Sequence, residues 1–139
     1  MEKEILTWDK YHELIKEANE KIDFSNIDLI VGLTRGGLTP AVHLSNANDI
    51  KMLPLACSFR DAPDIEMYKK DLEIIKKYNN ILIVDDIYDS GKTVAKIRED
   101  LSEKTLKFYT IYSTDETAVD YYNVVKKTDD WIIFPWEII

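Results

Sequence analysis

Apolar and polar positions alternate along the chain in two different rhythms. Trp8, Tyr11, Ile15, Ala18 and Ile22 are spaced by three and four residues, which places them on one face of a helix over Trp8 to Ile22, with Thr7 as its N-cap. Ile27 to Leu33 (IDLIVGL) is an apolar run too short for a helix. It ends at Thr34-Arg35-Gly36-Gly37, so it predicts a buried strand opening into a loop. A second helix follows and ends between Asn46 and Asp49. Lys51 to Phe59 (KMLPLACSF) predicts a strand in which Pro54 removes a ladder donor and favours an edge or a bulge. Arg60 to Glu66 is polar and carries Pro63, which predicts a mobile loop before a helix over Met67 to Tyr78. Asn80 to Asp85 (NILIVD) is the clearest strand, followed by a helix over Thr93 to Ser102 and an aromatic and β-branched strand over Leu106 to Tyr112. This alternation predicts an α/β fold with a mostly parallel central sheet flanked by helices. Its ligands would bind beyond the carboxyl ends of the strands.

Composition narrows the function. In 139 residues, 45% are hydrophobic and no repeat or polar linker interrupts the pattern, so residues 1–139 are expected to form a single domain. A formal net charge of −8 is the wrong sign for a chain that neutralises many nucleic-acid phosphates. Cys57 is the only cysteine, and with His12 and His43 far apart in sequence it builds no zinc site. The first residues lack the apolar run of a signal peptide and no stretch approaches a membrane span, so a soluble, cytoplasmic protein is expected.

The stretch richest in chemistry is Ile81 to Thr93, ILIVDDIYDSGKT. Ser90, Gly91, Lys92 and Thr93 fall where the amides of a helix N-terminus are unpaired, a setting that cradles an anion such as phosphate. A Walker A loop requires Gly at position 86, where this chain has Asp86, so a nucleoside triphosphatase is rejected. Asp85 and Asp86, at a strand's end, meet hydroxyls, a divalent cation or a positive group if buried, and otherwise form a solvated loop pair. Read alone, Arg35-Gly36-Gly37 is a turn and Trp131 a core residue.

Ile81 to Thr93 also resembles the phosphoribosyl pyrophosphate (PRPP) motif of the type I phosphoribosyltransferases: an apolar run, two acids, two spacers, then Asp-Ser-Gly-x-Thr. Leu6-Thr7-Trp8-Asp9, Thr34 to Pro40 (TRGGLTP) and Trp131 to Trp136 (WIIFPW) are similar to the xanthine-guanine members, so the resemblance spans nearly the whole chain. It implies the type I phosphoribosyltransferase fold with a small hood, and an Mg²⁺-dependent transfer of the phosphoribosyl group from PRPP to a purine base. By resemblance, Asp85 and Asp86 face the ribose hydroxyls, Asp86 also helping to hold Mg²⁺. Asp89 to Thr93 (Asp89, Ser90, Gly91, Lys92, Thr93) take the 5′-phosphate, and Asp89 is the catalytic base at the purine N7. Thr34, Arg35, Gly36 and Gly37 match the pyrophosphate loop, where glycines let the backbone approach and a guanidinium offers forked hydrogen bonds. Trp131 matches the base-stacking residue and Ile132 the neighbour whose main chain meets the purine edge. The loop near Ser58 to Glu66 matches the flexible hood, from which Arg60 would reach pyrophosphate. A dimer or tetramer is implied, with no nucleic-acid or membrane partner.

The chain departs from that pattern twice. Where the family carries a lysine that reads the purine 6-oxo group, this sequence has Thr114, flanked by Ser113 and Asp115, and the chain stops soon after Trp136. The base preference is therefore open. A noncatalytic PRPP-binding regulator and transfer to another nucleobase are the alternatives. Cys57, His12, His43 and the Lys69-Lys70 and Lys76-Lys77 pairs read as structural or solvated, the Trp8, Tyr11, Ile15 stripe as core or subunit interface, and Tyr121-Tyr122 has no assignment.

Overall fold

The computed structural model describes residues 2–57 and 64–139. Five strands form the central sheet: β2 (Leu29–Leu33), β3 (Met52–Leu55), β4 (Asn80–Tyr88), β5 (Thr105–Ser113) and β6 (Tyr121–Val125). They lie in the order β3-β2-β4-β5-β6 with every pairing parallel. Two further short strands, β1 (Lys3–Ile5) and β7 (Trp131–Ile133), pair in parallel as a separate ribbon, Lys3 opposite Trp131 and Ile5 opposite Ile133. Among the described residues four α-helices, α1 (Trp8–Lys21), α2 (Leu38–Asn48), α3 (Ile65–Ile75) and α4 (Lys92–Asp100), and a short 3-10 turn over Pro135–Glu137 complete the fold.

Strand alternation divides the core between two faces. Ile30, Leu82 and Val84 pack with Tyr11, Leu14 and Ile15 of α1 and with Ala41 and Leu44 of α2. Leu29, Val31, Ile81 and Ile83 pack with Tyr68, Leu72 and Ile75 of α3 and with Ile97 of α4. Successive strand residues thus feed opposite layers, which is why these strands read as continuous apolar runs.

The sequence expectations meet this frame closely but not everywhere. Thr7 caps α1 by accepting from the Lys10 amide at 3.2 Å. Pro54 lies in β3, which is an edge strand, where a missing donor costs no ladder bond on the open side. β3 stops at Leu55, so Cys57 follows the strand rather than lying in it. It is buried, and burial pushes its thiol up to about 12, which keeps it protonated at neutral pH. α3 begins two residues before the expected Met67, because the Asp64 carboxylate caps it by accepting from the Met67 amide at 2.9 Å. Ser58 to Pro63, including Arg60, lie outside the described residues. β4 runs to Tyr88 instead of ending at Asp85, because β5 continues alongside it to Ser113. Tyr121 and Tyr122 open β6, pairing with Tyr109 and Thr110 of β5. Among the described residues no helix is long and apolar enough to cross a membrane.

Candidate functional site

The loops at the carboxyl ends of β2 and β4 meet. After β2, the Gly37 amide donates to Leu33 O at 2.8 Å and the Thr34 amide to Leu55 O at 3.1 Å, so the turn Thr34 to Gly37 is pinned to its own strand and to β3. The Thr34–Arg35 peptide is cis. Arg35 is exposed at the apex, while Gly36 lies against β4: a Cβ built there would collide with the Asp86 carboxylate. The glycine therefore lets the acid pair and the Thr34–Gly37 turn share one space.

Asp85 and Asp86 lie within β4, and the Asp86 amide donates to Asp85 Oδ1 at 2.8 Å. Burial raises the Asp86 carboxyl above the usual carboxylate range. The Glu137 carboxylate pushes the same way, opposed by hydrogen bonding from Asp85 and the Ile87 amide. Negative charge gathered in this way is what a divalent cation or a set of hydroxyls relieves, and magnesium needs only one or two carboxylates when substrate oxygens and water complete its shell. Asp85 and Asp86 suit such an ion. Among the described residues no group of three or more His, Cys, Asp or Glu forms a self-sufficient metal cage.

Beyond β4 the chain turns through Asp89 and Ser90, both exposed, into α4. Gly91 adopts φ +80°, the left-handed region, and the Tyr88 ring and hydroxyl lie against it so closely that a Cβ would strike them. No side chain caps α4 at Gly91, so the amides of its first turn, beside Lys92 and Thr93, remain available for an anion.

The next loop closes the site from the β5 side. Thr114 donates from Oγ1 to the Asp89 carbonyl at 3.0 Å and from its amide to Tyr88 O at 3.1 Å. Ser113 Oγ donates to Asp115 O at 2.7 Å. The Asp115 carboxylate accepts from the Thr117 amide and hydroxyl at 2.9 and 2.8 Å, which hold it below its ordinary range. The segment 113–117 therefore presents neutral or acidic groups. At the chain's end, Trp131 stands 49% exposed while Ile132 turns its side chain into the core. Phe134 stacks on Trp136 with ring centroids 5.1 Å apart, and Glu137 Oε1 accepts from the Phe134 amide at 2.9 Å.

The structure thus gathers Gly36 with Asp86, and Asp89 with Thr114, and brings Glu137 within electrostatic reach of the acid pair. Arg35, Lys92 and Trp131 are exposed, and Arg60 is outside the described residues. Sequence reasoning missed Tyr88 and Glu137. The first was signalled only as a spacer between the acids and Asp89, and the second not at all, because its approach to Asp86 is tertiary.

The phosphoribosyl transferase domain family matches residues 2–138. The chain is 30% identical to the xanthine-guanine phosphoribosyltransferase of Cereibacter sphaeroides, over 96% of this chain and 86% of that one. It is 29% identical to the enzyme of the same name from Chromohalobacter salexigens, over 96% and 83%. A purine phosphoribosyltransferase structure from Pyrococcus horikoshii superposes with a TM-score of 0.77 at 29% identity, covering 100% of this chain and 96% of that one.

Proposed function

Since the chain belongs to the phosphoribosyl transferase domain family, we propose that it is a purine-salvage enzyme that moves the 5-phosphoribosyl group of PRPP onto a 6-oxopurine (guanine, xanthine or hypoxanthine). The products are the nucleoside 5′-monophosphate and pyrophosphate. The observation that carries this reading is the shared space of Gly36 and Asp86, which joins the turn fitted to pyrophosphate to the acid pair fitted to ribose. The names of the two bacterial relatives support the 6-oxopurine class.

In this reading the 5′-phosphate rests on the first-turn amides of α4 with Ser90, Gly91, Lys92 and Thr93. Asp85 and Asp86 accept from the ribose hydroxyls. Thr34, Arg35, Gly36 and Gly37 hold the pyrophosphate, the Arg35 guanidinium offering forked, charge-assisted hydrogen bonds. Asp86, together with oxygens of the cosubstrate, would hold magnesium, which would supply charge neutralisation at the leaving group. The bond from C1 of ribose to the pyrophosphate oxygen breaks as a base nitrogen bonds to C1, and Asp89 takes the proton that the base loses. Trp131 offers a face for stacking and Ile132 its main chain for the purine edge. Because the chain's net charge repels a polyanion, attraction must come from these local donors rather than from the field of the whole protein.

The single domain of residues 1–139 would act in the cytoplasm, where a free buried thiol such as Cys57 stays reduced. It would act as a homo-oligomer, with Trp8 and Val42, 47% and 43% exposed, suited to a subunit contact. One observation favours a second reading, transfer to another nucleobase: Thr114 offers a hydroxyl already engaged with Asp89, where a cation would be expected.

The test is pyrophosphate release from PRPP and Mg²⁺ with guanine, xanthine, hypoxanthine, adenine, uracil or orotate in separate reactions. Release with a 6-oxopurine, reduced about a thousandfold in Asp89→Asn, is the expected result. Preference for adenine, uracil or orotate overturns the base assignment. PRPP binding without release for any base makes the protein a PRPP-binding regulator.

A further inference from the structure

α3 carries Ile65, Lys69 and Leu72, and its C-cap residue Lys76 continues the same stripe at spacings of four, three and four residues. That stripe borders a groove of about 260 Å³ lined also by Tyr68, by Lys96 and Asp100 of α4, and by Ala56. The two walls are tied together: Tyr68 donates from its hydroxyl to Asp100 Oδ2 at 2.7 Å, and Lys96 Nζ sits 3.4 Å from the same oxygen and 5.5 Å from the Tyr68 ring centroid. Asp100 is thereby committed, its carboxyl held below the ordinary range by the Tyr68 hydroxyl first and Lys96 next. Lys69 and Lys76 form no ion pair among the described residues.

On a chain of net charge −8, this lining holds three ammonium groups against one carboxylate. The surplus matches the charge of one phosphate monoester, about −1.5 to −2 at neutral pH. Beside the lysines, Leu72 and the 58% exposed Ile65 offer an apolar wall, so the groove fits a ligand with an apolar or flat body as well as an anionic head. None of the residues of the turn 34–37 or of the segment 85–93 lines it.

We propose that the α3–α4 groove binds a small organic phosphate monoester outside the PRPP site, its phosphate on Lys69, Lys76 and Lys96 and its body on Ile65 and Leu72. The proposal stands independently of the catalytic reading.

The test is a titration of the full chain with phenyl phosphate, followed by amide chemical shifts, beside inorganic phosphate, phenol and a glutamate-rich peptide as separate probes. Phenyl phosphate is expected to shift the amides of Ala56, Leu72 and Lys96 and to bind more tightly than inorganic phosphate or phenol. Its binding should weaken at least about tenfold in the Lys69→Ala/Lys96→Ala double variant, which removes two charge-assisted contacts. Lys77→Ala, in the turn that follows α3 and outside the groove, should bind as the unaltered protein does. The altered side chains are exposed, so the double variant should keep the unaltered protein's spectrum elsewhere. Shifts confined to Ser90 to Thr93, equal affinity for inorganic phosphate, undiminished binding by the double variant, or no binding to about 10 mM would each overturn the proposal. Tighter binding of the peptide would assign the groove to an acidic protein segment instead.

Discussion

At Gly36 and Gly91 the candidate site has no room for a side-chain carbon, whereas at Thr114 and Trp131, on the side assigned to the base, the side chains stand exposed to solvent. The phosphoribosyl side is made by closely packed backbone: Gly36 under the Asp86 carboxylate, Gly91 under Tyr88, and the Thr34 amide on the Leu55 main-chain carbonyl. The base side is made of side chains that project from a strand end and from the two-stranded ribbon. One half demands particular residues for the chain to close at all, and the other tolerates exchange at little cost to the fold. That contrast separates a half in which an added side chain must displace its neighbours from one in which exchange, as at the exposed Thr114, need not.

Four variants probe the contrast, taken from the largest effect to the smallest. Asp86→Asn is expected to lower kcat/KM for PRPP about a hundredfold yet to raise Tm by about 3 °C, because it removes a carboxylate that folding must desolvate near Glu137. Burial raises the folded pKa of Asp86 above its unfolded value, so ionisation destabilises the fold. The penalty is absent below the unfolded pKa of about 3.9 and grows as pH rises through the folded value. Thermal melts from pH 3 to pH 7 should therefore show the variant's advantage appear with rising pH; an advantage that stays constant would refute the buried-charge account.

Gly36→Ala forces the Asp86 carboxylate aside, at a cost of about 1–3 kcal/mol. A lowered Tm and a KM for PRPP raised about tenfold should both appear in one preparation. Trp131→Ala should raise KM for the base up to about tenfold, the worth of one stacked ring, with a smaller fall in Tm than Gly36→Ala because half of the indole faces solvent. If it melts as early as Gly36→Ala, the distinction between the two halves fails. Thr114→Val deletes the hydroxyl that holds the Asp89 carbonyl, a bond worth about 1 kcal/mol. It should lower kcat/KM about fivefold for every base alike, since its effect passes through Asp89; a loss confined to one base would instead make Thr114 a contact to the purine.

Much of this molecule was legible beforehand because its central strands are buried on both faces. Ile81 to Val84 and Leu29 to Leu33 could be read as strands from their unbroken apolar runs, and the Gly91 turn from the small residues beside it. The reach of β4 through Asp85, Asp86, Ile87 and Tyr88 was hidden, because two charges interrupt the apolar run and only the pairing of Ile87 with Tyr112 and of Tyr88 with Ser113 keeps it extended. Tyr121 and Tyr122 gave no signal alone, since their side chains go to opposite core layers, Tyr121 toward α1 and Tyr122 toward the other face. β1 and β7, three residues each, are too short for any period to show. At the site, residue types announced phosphate and ribose, but the approach of Glu137 to Asp86 depends on how the last turn packs through Phe134 and Trp136.

The ribbon of β1 and β7 has a consequence for how the protein is made. Lys3 meets Trp131 across nearly the entire chain, and among the described residues every strand pairing is parallel and none forms a hairpin that could nucleate the sheet. Topologies of this kind close their loops before contacts repay the entropy, and they fold on the millisecond-to-second side of small proteins. On the ribosome, β2, β3 and β4 can assemble with their helices as they emerge, while the segment that carries Trp131 finds its partner strand only after synthesis has passed it. The surface that would receive the base is therefore completed after β2, β3 and β4 have emerged.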